Sequence, residues 1–173
     1  MGDAKSIVAR GYDQIAARYA AWSVTERRIE RERYTQSLID RLDRGAKLLE
    51  LGCGSRHITT KRLAKRFELI GVDRSPKQIA LAKQQVPHAT FIQADMSELS
   101  FSEASFDAVT AFYSLLHLPR MEQAALLQRI ALWLKPAGLF VATMAWHAME
   151  AEIVDNWLGA PMCWSSFDSA TNQ

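Results

Sequence analysis

Three carboxylates stand where apolar runs end. Glu50 closes Leu48-Leu49-Glu50-Leu51 and is followed by Gly52-Cys53-Gly54-Ser55. Asp73 closes Glu68-Leu69-Ile70-Gly71-Val72-Asp73, about twenty residues on, where an acid can accept from a ribose diol. Asp95 follows Ala89–Ala94 and precedes Met96, and a carboxylate beside a soft thioether suits an adenine amine and ring face. Phe112-Tyr113-Ser114 ends a fourth run, Phe106–Tyr113, close to where a reacting group would lie. One acid at a strand end has an ordinary explanation, because acids there cap the next helix. Three in successive units, beside a glycine turn, are much more specific. Glycine lets the backbone take φ > 0 and lets a ligand approach the main chain. The helix start that follows adds unpaired N–H groups. The combination points to a polar, nucleotide-like ligand.

These residues need a scaffold that presents strand ends side by side. Apolar runs buried on both faces suit a parallel sheet. Strands are expected near Lys47–Leu51, Glu68–Asp73, Ala89–Ala94, Phe106–Tyr113 and Leu139–Met144. The fifth is entered through the turn Lys135-Pro136-Ala137-Gly138. Helices are expected between them, one starting at Ser75-Pro76 with serine as cap and proline in the first turn, another over Arg120–Leu134. Alternating strands and helices give an α/β doubly wound sheet of Rossmann-like form, with ligands at the carboxyl ends of its strands. Residues 4–43 read as helical, with a second helix capped by Thr25 and ended by Gly45. The mixed-charge run Glu26 to Arg33 reads as a solvated face. In the tail, Glu150–Leu158 reads as a helix broken by Gly159-Ala160-Pro161, and Asp168-Ser169-Ala170-Thr171 as a capped helix start. We expect one domain over 1–173, with an N-terminal helical part (1–43), a core (46–145) and an incomplete C-terminal segment (146–173).

Bulk composition narrows the class. Of 173 residues, 49% are hydrophobic and 23% charged, the balance of a globular protein with a real core. A net charge of +2 gives no strong nucleic-acid signal. The basic cluster Lys61, Arg62, Lys65 and Arg66 reads as solvated surface rather than a phosphate track. Two scattered cysteines, Cys53 and Cys163, suit neither a disulfide framework nor a metal site, and a reducing, cytoplasmic setting is the simplest expectation. No apolar stretch is long enough to span a bilayer.

On these residues the chain resembles class I S-adenosylmethionine-dependent methyltransferases of the small-molecule-like bacterial branch, from Tyr12 to Trp164. Leu49–Ser55 matches the family's first motif, Gly71-Val72-Asp73 its second and Gln93-Ala94-Asp95-Met96 its third. Phe106–Val109 matches the fourth motif, and Leu134–Gly138 the turn before the fifth strand. The resemblance implies S-adenosyl-L-methionine as cofactor, S-adenosyl-L-homocysteine as product, and a small-molecule acceptor. It implies that Gly52, Cys53 and Gly54 pass the methionine portion, Asp73 holds the ribose, and Asp95 and Met96 hold adenine. Tyr12, Tyr19 and Trp22 match an N-terminal lid. Glu50, Ser55, Arg74, Ser75, Gln78, Phe112 and Tyr113 complete the implied cofactor-binding set, and no metal is implied.

Two departures stand out. The third glycine of the family's first motif is Arg56, whose bulk at the turn predicts weaker cofactor binding. The family's seven-stranded sheet has two more strands after the fifth, and neither is expected in this sequence. That would leave Leu139–Met144 as an apolar edge, a template for a homodimer. For the acceptor, His117 and Tyr113 are the candidate catalytic residues: His117 has the intrinsic pKa of a general base, though a structural or pocket-lining histidine is the plainer reading. Trp146, His147, Trp157, Met162, Trp164 and Phe167 could wall an acceptor pocket or simply pack. Cys53, inside the turn, reads as a small filler. Two other functions remain in view. One is an inert or weakly active cofactor-binding protein. The other is an NAD-dependent oxidoreductase, whose fingerprint wants a glycine where His57 stands.

Overall fold

A computed structural model describes residues 3–26, 28–55 and 58–172. Arg56 and His57, which carry the altered-turn and fingerprint arguments, lie outside the described residues. Two helices open the chain, α1 (Ala4–Thr25) and α2 (Arg28–Arg41). Then follow β1 (Lys47–Leu51), α3 (Ile58–Ala64), β2 (Glu68–Asp73), α4 (Pro76–Gln85), β3 (Thr90–Gln93), β4 (Phe106–Ala111), α5 (Arg120–Trp133) and β5 (Leu134–Ala142). Single 3-10 turns at Met96–Glu98 and Leu115–His117 follow β3 and β4.

Leu48, Leu49 and Leu51 are wholly buried, so β1 has no solvent face and must sit centrally. The order is β3-β2-β1-β4-β5, every pairing parallel. The chain moves outward from β1 through β2 to β3, then returns to place β4 on the other side of β1. That reversal puts a crevice at the carboxyl ends of β1 and β4. Leu38, Leu63, Ile79 and Phe91 form the core on one face of the sheet, and Leu126, Ile130 and Trp133 of α5 form it on the other. Each such buried side chain stabilises the fold by about 1.5–3 kcal/mol.

The expected α/β architecture is present, with five strands in the main sheet. Several local expectations are corrected. Thr25 does not cap α2: it is the last residue of α1, its hydroxyl donating back to Trp22 O at 3.0 Å. Gly45 lies beyond the end of α2, in a turn whose N–H bonds Arg66 O at 2.8 Å. The Lys135–Gly138 turn is a bulge inside β5, where pairing slips between Phe106↔Leu134 and Ala108↔Leu139. Asp168 caps only a local turn, accepting from Thr171 N at 2.8 Å.

The largest correction is in the tail. Glu150–Leu158 is not a helix but most of β6 (Met149–Trp157), paired antiparallel with β7 (Ala160–Ser166) as a separate two-stranded sheet. Its two-residue turn has positive φ at both Leu158 (53°) and Gly159 (94°), the twist that hairpins favour. Thus Gly159 closes a hairpin rather than ending a helix. The hairpin packs on α1: Met162 and Cys163 are buried against Val8, Ile15 and Tyr19.

Candidate functional site

The turn after β1 is held by main-chain bonds. Gly52 and Cys53 both donate to Val72 O, at 2.8 and 2.9 Å. Gly52 has φ +70°, and a Cβ there would fall 2.3 Å from Ser114 Cβ, so side-chain-free backbone is required. Ser114 Oγ donates to Leu51 O at 2.7 Å, fastening the end of β4 to that of β1.

Asp73 ties the second strand to the same turn. Its carboxylate accepts from Gly54 N and Ser75 N, both at 2.9 Å. Burial pushes its pKa up to about 6, against the downward pull of those two N–H groups. Ser75 caps α4 by accepting from Gln78 N at 3.1 Å, and its hydroxyl donates to Asp13. The Gln78 side chain is buried, and both its amide atoms lack a partner among the described residues.

Asp95 closes the third strand. One oxygen accepts from Ser97 N (2.9 Å) and Ser97 Oγ (2.8 Å). The other lies 2.7 Å from Lys5 Nζ and 3.3 Å from Arg74 Nη1. Burial alone would raise its pKa, but the Lys5 and Ser97 bonds outweigh it and hold the carboxyl below its usual range.

These tips surround one cavity. Gly52, Gly54, Asp73, Arg74, Gln78, Asp95, Met96, Phe112 and Tyr113 line it, with Tyr12 and Tyr19 of α1 and His117 above. Its enclosed volume is about 70 Å³, well below the roughly 300 Å³ at which ordinary ligand pockets begin. Five expected residues are not brought to this cavity: Trp22, Glu50, Cys53, Ser55 and Ser75. Glu50 and Cys53 are buried beneath the turn; burial drives Glu50 up to about 7, against the Thr60 hydroxyl and Arg31, and pushes the Cys53 thiol well up. Ser55 is buried with its hydroxyl unpartnered among the described residues, and Ser75 is occupied as a cap.

A second cavity, of about 240 Å³, adjoins the first. Tyr12, Tyr19, Tyr113 and His117 line both, and Trp22, Arg31, Leu116, Trp157 and Trp164 line only the second. Trp22 thus stands at the second cavity, not the first. Of the aromatic tail, Trp157 and Trp164 form wall. Met162 packs under α1, Trp146 and His147 are exposed, and Phe167 lies under the Arg120 guanidinium at 5.2 Å.

His117 sits between the cavities, fully engaged. Its Nδ1 is 3.0 Å from Cys163 O, and a carbonyl only accepts, so Nδ1 carries the proton. Nε2 is then the acceptor for the Tyr12 hydroxyl at 2.9 Å. Burial lowers the His117 pKa to about 4 and raises that of Tyr12, so both are neutral near pH 7.

Sequence reasoning missed Lys5 and Arg31. Lys5, Val8, Tyr12 and Tyr19 recur at helical spacing on one face of α1 and all line the first cavity, so the period that marks the tyrosines also marks Lys5. Arg31 is hidden in the Glu26–Arg33 charge run, yet is only 6% exposed, which corrects the solvated-face reading at that position. Among the described residues no group of His, Cys, Asp and Glu could hold a metal ion, and no helix is long and apolar enough to cross a membrane.

Comparison with known proteins places this geometry. The sequence model of a family described as "Methyltransferase domain" matches residues 48–138. An uncharacterized methyltransferase of Synechocystis is 30% identical over 132 residues, covering 75% of this chain and 59% of that protein. The trans-aconitate 2-methyltransferase of Variovorax paradoxus is 32% identical over 120 residues, 66% of this chain and 45% of that one. The chain thus spans about half the length of the curated relatives it matches. Among solved structures, the N-methyltransferase NodS of Bradyrhizobium japonicum, in complex with S-adenosyl-L-homocysteine, has a TM-score of 0.61 at 26% identity, covering 76% of this chain and 72% of that one. A DhpI–SAH complex has a TM-score of 0.77 at 20% identity, covering 96% and 82%.

Proposed function

Because this chain belongs to the methyltransferase-domain family, we propose that it transfers a methyl group from S-adenosylmethionine to a small-molecule acceptor. The observation that carries the reading is the convergence of Asp73, Asp95, Gln78 and the Gly52–Gly54 turn on one cavity. The donor set fits a nucleoside. Two carboxylates can accept from hydroxyl and amine groups, and the buried, unpartnered Gln78 amide can both donate and accept. In this reading Asp73 holds the ribose, Asp95 and Met96 hold adenine, and the Gly52–Gly54 backbone passes the amino-acid portion.

When bound, the cofactor supplies an electrophilic methyl group on a cationic sulfur. The chain's own residues then align and exclude. Phe112 and Tyr113 lie at the end of β4, and Tyr12, Tyr19, Tyr113 and His117 form the shared wall across which an acceptor would face the donor. His117 and Tyr12 make a proton path: Tyr12 can take a proton from an acceptor as it passes its own to Nε2. A histidine with a pKa of about 4 is a weak base near neutrality, so the site suits acceptors that arrive ionised or give up a proton readily.

Calorimetry tests the reading directly. S-adenosylmethionine and S-adenosylhomocysteine should both bind with one-site stoichiometry while NAD does not. Binding without methyl transfer to any of a panel of acceptors would favour the inert cofactor-binding alternative. Failure of both nucleosides to bind would overturn the proposal.

A further inference from the structure

We propose that the second cavity is an acceptor site selective for a small, flat carboxylate, with Arg31 as its anion-binding residue. The inference rests on the methyl-transfer reading and names the class of acceptor.

Arg31 is the basis. Its side chain lines the cavity at 6% exposure, and a charge so buried is costly unless it is paired. Among the described residues its charge is only partly met. One N–H donates to Ser23 O at 3.3 Å, a side-chain hydrogen bond joins it to Tyr19, and the guanidinium lies 4.7 Å from the centroid of the Tyr113 ring. No carboxylate among the described residues forms an ion pair with it. Glu50 is near enough to feel its charge, but Glu50 has a pKa of about 7 and is only half ionised at neutrality. Arg31 is the one charged side chain among the residues that line this cavity. A planar guanidinium pairs best with a carboxylate, through two parallel hydrogen bonds.

The walls define the rest of the ligand. Trp157 stands nearly perpendicular to both Trp22 (78°, 5.5 Å between centroids) and Trp164 (88°, 5.7 Å). Such walls accept a flat, unsaturated or aromatic body. A volume of about 240 Å³ leaves room for a single ring with its carboxylate. An acceptor that arrives with its charge already formed also matches the weak basicity of His117.

The test uses protein loaded with S-adenosylhomocysteine, titrated calorimetrically with benzoate and with its neutral isostere benzamide. Benzoate should bind at least about tenfold more tightly. Arg31→Gln should abolish that preference, and Arg31→Lys, which keeps the charge but not the fork, should restore part of it. Equal affinity for the two probes, no binding of either, or a preference that survives Arg31→Gln would overturn the proposal. If Arg31→Gln does not fold, the two wild-type titrations decide alone. Failure of S-adenosylhomocysteine itself to bind would strike the methyl-transfer reading; its binding without benzoate preference would strike only this inference.

Discussion

Lys5 Nζ lies 2.7 Å from Asp95 Oδ2, joining the first turn of α1 to the tip of the third strand. The same ammonium donates to Glu122 at 2.8 Å and Ser97 at 3.0 Å, so this one side chain ties α1 to three groups at the mouth of the first cavity. Asp95 is also the carboxylate proposed to receive adenine. Closure of the helix and binding of the nucleoside therefore compete for one group.

Lys5→Met should consequently speed association of S-adenosylhomocysteine several-fold. In the wild type, added salt should also raise the association rate, because it screens these ion pairs; in the variant that salt response should vanish. Stopped-flow binding measures both, and an unchanged rate would show that α1 does not gate the cavity.

Asp95→Asn should weaken S-adenosylhomocysteine binding by about tenfold, the loss of one charge-assisted hydrogen bond. Asp73→Asn should cost more, because that carboxylate also orders Gly54 N and Ser75 N at 2.9 Å. Calorimetry at constant ionic strength distinguishes them, and equal losses would argue against the bracing role of Asp73.

Glu50 makes stability depend on pH in one direction. Its pKa rises from 4.5 unfolded to about 7 folded, so the folded state binds the extra proton. Its contribution is present below pH 4.5 and is lost as pH rises through 7, a change on the order of 3 kcal/mol. Glu50→Gln should melt several degrees above the wild type at pH 8 and match it near pH 4.5.

His117 acts oppositely. Its pKa falls from 6.5 to about 4 on folding, so the unfolded chain binds the extra proton between those values. Stability is full above pH 6.5 and declines by about 3 kcal/mol as pH drops toward 4. In denaturant titrations His117→Gln should remove this acid-side slope, leaving the Glu50 trend exposed.

Gly52→Ala and Gly45→Ala separate crowding from backbone strain. Both glycines have positive φ, 70° and 84°, but a Cβ at Gly45 meets nothing within 4 Å. Gly45→Ala should cost about 1 kcal/mol. Gly52→Ala should cost several, or drive Ser114 off Leu51 O with loss of nucleoside binding.

The sheet was legible because its strands are short apolar runs that end in acids, and Ser75-Pro76 spells out a helix start chemically. Nine of the thirteen expected residues between Glu50 and Tyr113 lie on one cavity because strand-end position follows from the pattern itself. The tail was misread because Ile153 and Val154 are half exposed on a two-stranded ribbon, so no buried stripe marks either period. Arg31 and Lys5 were obscured for another reason. Charge in a sequence does not announce burial, and only the packing of α1 and α2 over the strand tips buries Arg31 and half-buries Lys5.

The hairpin β6–β7 joins no strand of the main sheet, yet it contributes Trp157 and Trp164 to the second cavity. The walls of the second cavity thus come partly from a segment that packs on α1 and is tied to His117 through Cys163 O, apart from the strands that line the first cavity. If the second cavity takes the acceptor, as proposed, exchanging the ribbon between Met149 and Ser166 should change which acceptor is taken, provided Cys163 O is kept to hold His117 Nδ1–H.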